Sequence, residues 1–243
     1  MQKVVISILM FIFSASIFAA PSFQSTAIAV LPQDAPKVAA ALDEWMNGFG
    51  KKSNGRVILQ AHVADGINPA THTIISLTPS MAAGEAFNEQ VVGSKEGMAE
   101  WQAFMAKVTP IATVTATSRS ALVKSWGKID DGNDVWLVHS FSTADASSLA
   151  LALGAWMNSP TGKNFPGEAH LLATVAAGAG APSHVLAIGY TSLAQMEEWG
   201  ATARPSGDMA RLLHSLSEIA DYHGANLVTT AAAWGKSAKS VLN

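Results

Sequence analysis

Short apolar runs of strand length occur four times in each half of this chain, and they come in the same order in both halves. In the first half the predicted strands are residues 27–31, 56–63, 73–77 and 112–125. In the second half they are residues 135–141, 169–175, 185–190 and 225–233. The polar positions between these runs are therefore expected to form helices and turns.

Helical patterns separate the strands at two places in each half. Val38, Leu42 and Trp45 recur at spacings of four and three, which predicts an amphipathic helix after the first strand. Ser80 and Ser192 stand where the N-caps of the later helices belong. Gly and Pro residues interrupt these later helical regions, since neither residue suits a helix interior. Each half is thus predicted to have the order β-α-β-β-α-β.

The two halves also match at the level of individual residues. The matched positions are 34–47 with 145–158, His72 with His184, and Trp126 with Trp234. Their offsets are 111, 112 and 108 residues (145 − 34, 184 − 72 and 234 − 126). Matched positions that occur in the same order in both halves, with few gaps between them, favour a duplicated domain. We predict a first repeat at residues 20–128, a polar linker at 129–134 and a second repeat at 135–243.

The order β-α-β-β-α-β is that of the ferredoxin-like unit, an α+β fold whose antiparallel sheet carries both helices on one face. The other face of such a sheet is half apolar and must be covered. We therefore predict two ferredoxin-like units in tandem whose sheets pack face to face. This arrangement resembles the dimeric α/β-barrel superfamily, in which two ferredoxin-like units close a barrel as a dimer or as a fused tandem.

The resemblance covers nearly all of the chain beyond residue 19, and it depends on element order and duplication. The superfamily includes antibiotic-biosynthesis-type monooxygenases, haem-degrading monooxygenases and chlorite dismutase-like haem proteins. The resemblance therefore implies an oxygenase or a haem protein among the candidate activities, and it leaves haem open as a cofactor. Fold alone does not decide between these activities.

The N-terminal segment is predicted to be a targeting sequence. Lys3 precedes an apolar run at residues 4–18, and small residues follow it. This is the pattern of a secretory signal peptide, with cleavage expected after Ala19. The run is short for a membrane span of about 20 residues. We expect a periplasmic or secreted protein that keeps no stable membrane span after cleavage.

Composition narrows the candidate functions. The net charge is −3, which argues against nucleic acid as a partner because nucleic-acid-binding proteins need a basic surface. The chain contains 0 Cys, so disulfides and thiolate chemistry are excluded. An apolar content of 49% is ample for a substantial core. Aromatic residues in such a chain are able to line a pocket for a small apolar ligand.

His72 and His184 are the most informative polar pair, because each opens a third strand at an equivalent position. A neutral imidazole there could bind a ligand or iron, or act as a base. The alternative is a structural histidine at a strand end, copied with the scaffold. With Trp126, Trp234 and Tyr190 they form the predicted ligand-binding set, while catalytic residues stay unassigned.

The remaining histidines of the strands do not match between the halves. His62 and His170 both lie in second strands but at different positions, and His139 lies in a first strand. These three could line one asymmetric pocket. The metal-binding pattern of two histidines at i and i+4 with a glutamate does not occur, so no metal site is predicted.

The sequence therefore favours an exported soluble protein that binds a small apolar or aromatic molecule, or a partner, through a tandem α/β-barrel. The first alternative is a small oxygenase, or a haem-binding or haem-degrading enzyme, of the superfamily it resembles. The second alternative is a structural or assembly role, since strand edges are able to pair with other chains. The oligomeric state and the presence of catalysis stay open.

Overall fold

The computed structural model describes residues 20–66 and 69–242, and within these residues the chain forms eight strands and seven α-helices. The strands are β1 (Ser22–Val30), β2 (Arg56–Ala64), β3 (His72–Thr78), β4 (Ala112–Gly127), β5 (Val135–Ser142), β6 (Glu168–Ala177), β7 (His184–Tyr190) and β8 (Asp221–Gly235). The helices are α1 (Ala35–Asn47), α2 (Met81–Gly93), α3 (Lys95–Val108), α4 (Ala146–Met157), α5 (Leu193–Ala203), α6 (Gly207–Ile219) and α7 (Ala238–Leu242). The predicted signal peptide lies outside the described residues.

The eight strands form one closed antiparallel barrel in the order β1-β3-β2-β8-β5-β7-β6-β4. The prediction of two ferredoxin-like sheets packed face to face is therefore wrong. The physical reason is that the edge strands of the two halves pair with each other: β2 with β8, and β4 with β6. Closure gives every edge a hydrogen-bonded partner, and it leaves an interior instead of a sheet-on-sheet core.

The helices pack against the outside of this barrel, and the two large apolar cores lie between helices and strands. In the first half, Val38 and Leu42 of α1 pack with Ile28 and Leu59 of the barrel. In the second half, Leu149 of α4 packs with Leu171 of β6, and both side chains are 0% exposed. One face of each strand is thus covered by helices, and the opposite face lines the barrel interior.

Local sequence features explain where the helices begin and end. The Ser80 and Ser192 hydroxyls accept hydrogen bonds from backbone N–H groups three residues ahead, at 3.1 and 3.2 Å, as predicted for N-caps. The later helical region of the first half breaks after Gly93, which separates α2 from α3. No helix among the described residues is long and apolar enough to cross a membrane. Both halves show the same element order, whereas the duplication of the sequence and its boundaries stay predictions.

Candidate functional site

The barrel interior contains a cavity of roughly 570 Å³, within the range of about 300–1,000 Å³ typical of small-molecule sites. Alternate residues of each strand point into it, as the period-two geometry of a strand requires. Its middle is lined mainly by apolar side chains. These include Ile58, Ile75, Val138, Leu172, Val185 and Val228. The cavity therefore offers a small molecule a largely apolar site inside the barrel.

One polar cluster, the His62 cluster, consists of His62, Asp65 and Thr73. His62 Nδ1 lies 2.6 Å from Asp65 Oδ2, and His62 Nε2 lies 2.8 Å from Thr73 Oγ1. The side chains of His62 and Asp65 are only 8% and 7% exposed. His62 is near the end of β2 and Thr73 near the start of β3, so the β2–β3 turn brings the three residues together. His62 and Thr73 line the cavity.

This geometry prepares His62 to accept a proton. The Asp65 carboxylate is an acceptor, so Nδ1 donates to it and Nε2 keeps its lone pair for the Thr73 hydroxyl. A carboxylate in this position orients the ring and fixes the tautomer that keeps the lone pair on Nε2. A ligand hydroxyl that replaced the Thr73 hydroxyl would donate its hydrogen bond to the same lone pair on His62 Nε2. The cluster therefore has the arrangement of a general base.

A second polar cluster, the Glu168 cluster, consists of Glu168, His170, Ser125 and Asn133. Glu168 is 1% exposed, and its Oε1 accepts a hydrogen bond of 3.0 Å from Asn133 Nδ2. His170 Nε2 lies 3.4 Å from Glu168 Oε2, and His170 Nδ1 lies 2.8 Å from Ser125 Oγ. The Trp136 ring stacks on His170 with centroids 6.0 Å apart. Glu168, His170, Asn133 and Trp136 line the same cavity as His62.

The two clusters lie towards opposite ends of the cavity. The Arg56 side chain, at the start of β2, contacts Asp131 Oδ1 at 3.0 Å, two residues before Asn133. The connection between the two halves therefore places Arg56 and the Glu168 cluster at one end. His62 is six residues further along β2 (62 − 56), which corresponds to roughly 20 Å of strand. The cavity thus has an apolar middle and a polar group at each end.

None of the five residues predicted to bind ligand lines this cavity. His72 and His184 lie on strand faces opposite to those that line it, and each Nδ1 lies 2.9 Å from the hydroxyl of the preceding residue. Burial lowers the pKa of His72, and electrostatic repulsion from His62 lowers it further by a smaller amount. Burial also lowers the pKa of His184, which is 6% exposed. Their predicted role in ligand binding remains untested.

The three predicted aromatic residues pack in the outer cores. Trp126 packs in the core beneath α4, and Trp234 Nε1 donates a 3.0 Å hydrogen bond to Asp43. Tyr190 meets the ring of Phe165 edge-on at 5.8 Å, and burial raises its pKa to about 12. All three side chains therefore lie on the helix side of the sheet, where Tyr190 is buried and Trp126 and Trp234 are half-buried.

Two of the three unmatched histidines do line a single pocket. His62 and His170 both face the cavity, whereas His139 lies on the outer side near the Tyr222 hydroxyl at 3.2 Å. Burial lowers the pKa of His139. The available sequence signal was alternation, since Arg56, Ile58, Gln60 and His62 share one face of β2. Sequence reasoning missed Glu168 and Asp65, because their partners become neighbours only through barrel closure and the β2–β3 turn.

A smaller pocket of roughly 320 Å³ lies between the outer face of the sheet and helices α1, α2 and α3. Trp45, Phe87 and Trp101 contribute aromatic rings to it, and Arg119 lies at its polar side. Arg119 is held by Glu85 at 2.5 Å and by Gln24 at 3.0 Å. The Arg119 guanidinium is therefore already paired within the protein.

His62 does not fit a haem iron as an axial ligand, because both of its ring nitrogens have hydrogen-bond partners within the protein. His170 Nδ1 lies 2.8 Å from Ser125 Oγ, and its Nε2 lies 3.4 Å from Glu168 Oε2 without a hydrogen bond. His184 Nε2 is without a hydrogen-bond partner, but His184 does not line the cavity. Within residues 20–66 and 69–242, no group of three or more metal-ligating side chains is close enough to hold a metal ion.

The fold is that of dimeric α/β-barrel proteins. A candidate monooxygenase from Lactobacillus acidophilus NCFM superposes with a TM-score of 0.62 at 12% identity, covering 88% of this chain and 96% of that one. A candidate monooxygenase from Fusobacterium nucleatum gives 0.61 at 13% identity, covering 90% and 96%. An anthrone oxidase-like protein gives 0.55 at 11% identity, covering 88% and 92%. No family model and no curated protein sequence matches the chain.

Proposed function

We propose that the protein is a small-molecule enzyme of the oxygenase type, and that its substrate occupies the barrel cavity. The observation that carries the proposal is the buried His62–Asp65 pair, in which His62 lines a largely apolar cavity inside the barrel. The substrate class that fits is a flat aromatic molecule with an acidic O–H or C–H group. His62 is the general base that removes this proton, and Asp65 is the residue that positions it.

The reaction balances without a bound cofactor when the substrate itself supplies the electrons. His62 Nε2 takes a proton from an activated CH₂ group, and the resulting carbanion reacts with O₂. The carbon becomes a carbonyl, and the second oxygen atom leaves as water together with both hydrogens of the CH₂ group. An anthrone would become an anthraquinone in this way. Solved structures with the same fold that are named as monooxygenases and as an anthrone oxidase-like protein support this choice.

A second candidate function is ligand binding without chemistry. It is supported by the hydrogen bonds of His62, since both ring nitrogens already have protein partners and the ring is stable without a substrate. In this case the cavity is a binding site for a small apolar or aromatic molecule. The two candidates share the site and differ in whether the bound molecule is converted.

We also propose that the protein is exported, on the basis of the N-terminal sequence pattern alone. A basic residue, an apolar run and small residues precede the first strand. Mass spectrometry of the protein purified from its native host tests this directly. An N-terminus at Ala20 is expected, and a retained Met1 would contradict cleavage.

The enzymatic proposal is tested by O₂ uptake with anthrone and with hydroxylated naphthalenes, each corrected for the rate without protein. We expect uptake above that background, and we expect His62→Gln to reduce it by roughly 10²–10⁴-fold, the usual contribution of a general base. His139→Gln is the matched control, because His139 lies on the outer side of the barrel. Saturable binding with no uptake favours the second candidate, and the absence of both refutes both.

A further inference from the structure

The Glu168 carboxylate is the most deeply buried charged side chain of the cavity wall. It is 1% exposed, and its Oε1 is held by Asn133. Its other oxygen, Oε2, is shielded from solvent and has no hydrogen-bond partner. A buried carboxylate oxygen without a donor is costly, because nothing replaces the water it has lost. A hydrogen-bond donor supplied from the cavity that Glu168 lines would satisfy this oxygen.

The charged neighbours of Glu168 do not meet that requirement. Arg56 lines the cavity at the same end, but its ion pair is with Asp131 and its Nη1 also donates to the Lys236 carbonyl oxygen. His170 lies 3.4 Å from Oε2 without forming a hydrogen bond to it. His170 is instead engaged by Ser125 through Nδ1. Oε2 therefore has one ion-pair contact, with His170 Nε2, and no hydrogen bond from a protein donor.

The surroundings of this acceptor suit an aromatic ligand. Trp136 stacks on His170, and Phe23 lies 6.5 Å from the same ring, centroid to centroid. Phe23 and Trp136 line the cavity, and the apolar middle of the barrel continues beyond them. A flat ring in the cavity would therefore present its edge substituent to Glu168 while its faces stay in apolar contact.

We propose that Glu168 forms a second recognition site, which binds a hydroxyl or N–H donor at the far end of an aromatic ligand. This inference rests on the proposed function, and it specifies the substrate class of the same cavity. The substrate carries its reactive group at the His62 end and a hydrogen-bond donor at the Glu168 end. The two polar ends and the apolar middle of the cavity match such a molecule in their chemistry.

The test uses two probes that differ by one methyl group on the oxygen: 2-naphthol, which donates, and 2-methoxynaphthalene, which only accepts. Quenching of tryptophan fluorescence on titration gives a dissociation constant for each probe. We expect wild-type protein to bind 2-naphthol about tenfold more tightly or better, as is usual for a hydrogen bond to a charged group. Equal affinities in the wild type overturn the proposal without the need for any variant.

Glu168→Gln then tests the residue itself. The glutamine oxygen is able to keep the Asn133 hydrogen bond, so the amide NH₂ replaces the free acceptor with a donor. The preference for 2-naphthol should disappear or reverse, with thermal unfolding confirming that the variant is folded. Glu198→Gln, an exposed position on α5, is the matched control and should keep the preference.

The outcomes separate this inference from the proposed function. A preference that survives Glu168→Gln overturns the second recognition site, while His62-dependent O₂ uptake would still stand. Failure of wild-type protein to bind either probe overturns the site as well. Loss of the donor preference in Glu168→Gln together with no O₂ uptake on any substrate supports the recognition site and rejects the enzymatic proposal.

Discussion

Acidification should destabilise the protein through His184, and replacing this residue should remove part of that effect. His184 is 6% exposed, and Nε2 has no hydrogen-bond partner in the structure. Burial lowers its pKa below the ordinary value of 6.5, so the folded state favours the neutral ring. The proposed perturbation is His184→Leu, which keeps an apolar side chain at this position on β7 and removes the titrating group.

The size of the effect follows from proton linkage. Because the folded-state pKa is the lower one, the unfolded chain binds the proton first as the pH falls. The stability that depends on the neutral ring is therefore complete above pH 6.5 and is lost as the pH falls from 6.5 towards the folded-state pKa. The slope for one such group reaches about 1.4 kcal/mol of unfolding free energy per pH unit.

Urea unfolding of wild type and His184→Leu at a series of pH values from 7.5 to about 5 measures this slope. The free-energy difference between the two proteins should shift in favour of leucine as the pH falls below 6.5. His214→Leu is the control, since the His214 side chain is 75% exposed. Parallel pH curves for wild type and His184→Leu would refute the reasoning.

Three further predictions follow from the site and the core. Asp65→Asn should lower the turnover number with little change in KM, because Asp65 positions His62 and does not line the cavity. Steady-state O₂ uptake measures both constants, and an unchanged turnover number would contradict this role of Asp65. Ala187→Phe should fill the middle of the barrel and abolish fluorescence quenching by 2-naphthol. Cooperative unfolding of the variant shows that it is folded, and undiminished quenching would contradict a ligand site in the barrel interior. Leu171→Ala should cost about 3–5 kcal/mol in urea unfolding, since the side chain is 0% exposed, and a loss below about 1 kcal/mol would contradict the packing described for this core.

The strands and helices could be predicted because their signals are local. The strand predicted at 56–63 is observed as Arg56–Ala64, and that predicted at 135–141 as Val135–Ser142. Ser80 and Ser192 mark helix starts through hydrogen bonds that span three residues. Such features depend on neighbours in the sequence, so pattern and capping chemistry suffice to find them.

Barrel closure could not be predicted in the same way. It depends on β2 pairing with β8, in which Arg56 lies opposite Gly235 across 179 positions of sequence (235 − 56). Alternation groups residues on the two faces of a strand, but it does not say which face meets the helices. Both faces of β7 are rich in apolar residues, and His184 shares its face with Leu186, which packs in the outer core. Which face of β7 points into the barrel therefore follows from the pairing of the strands, and the sequence pattern alone does not determine it.

Only part of the candidate site could be predicted from the sequence, for the same reason. His62 and His170 were recognised as strand histidines that could share a pocket, and the barrel brings both to the cavity wall. Glu168 gave no such signal, because Asn133 and Arg56 reach its end of the barrel through the connection between the halves. The matched pair His72 and His184 drew attention through repetition, which also accompanies residues buried in a scaffold.

A crystal structure of the protein soaked with 2-naphthol tests most directly that the barrel interior is the functional site. We expect the naphthalene ring inside the cavity of roughly 570 Å³, with its hydroxyl hydrogen-bonded to Glu168 Oε2 and its far edge directed towards His62. Density for the ring in the pocket between the sheet and helices α1 to α3, with none in the barrel, would contradict it.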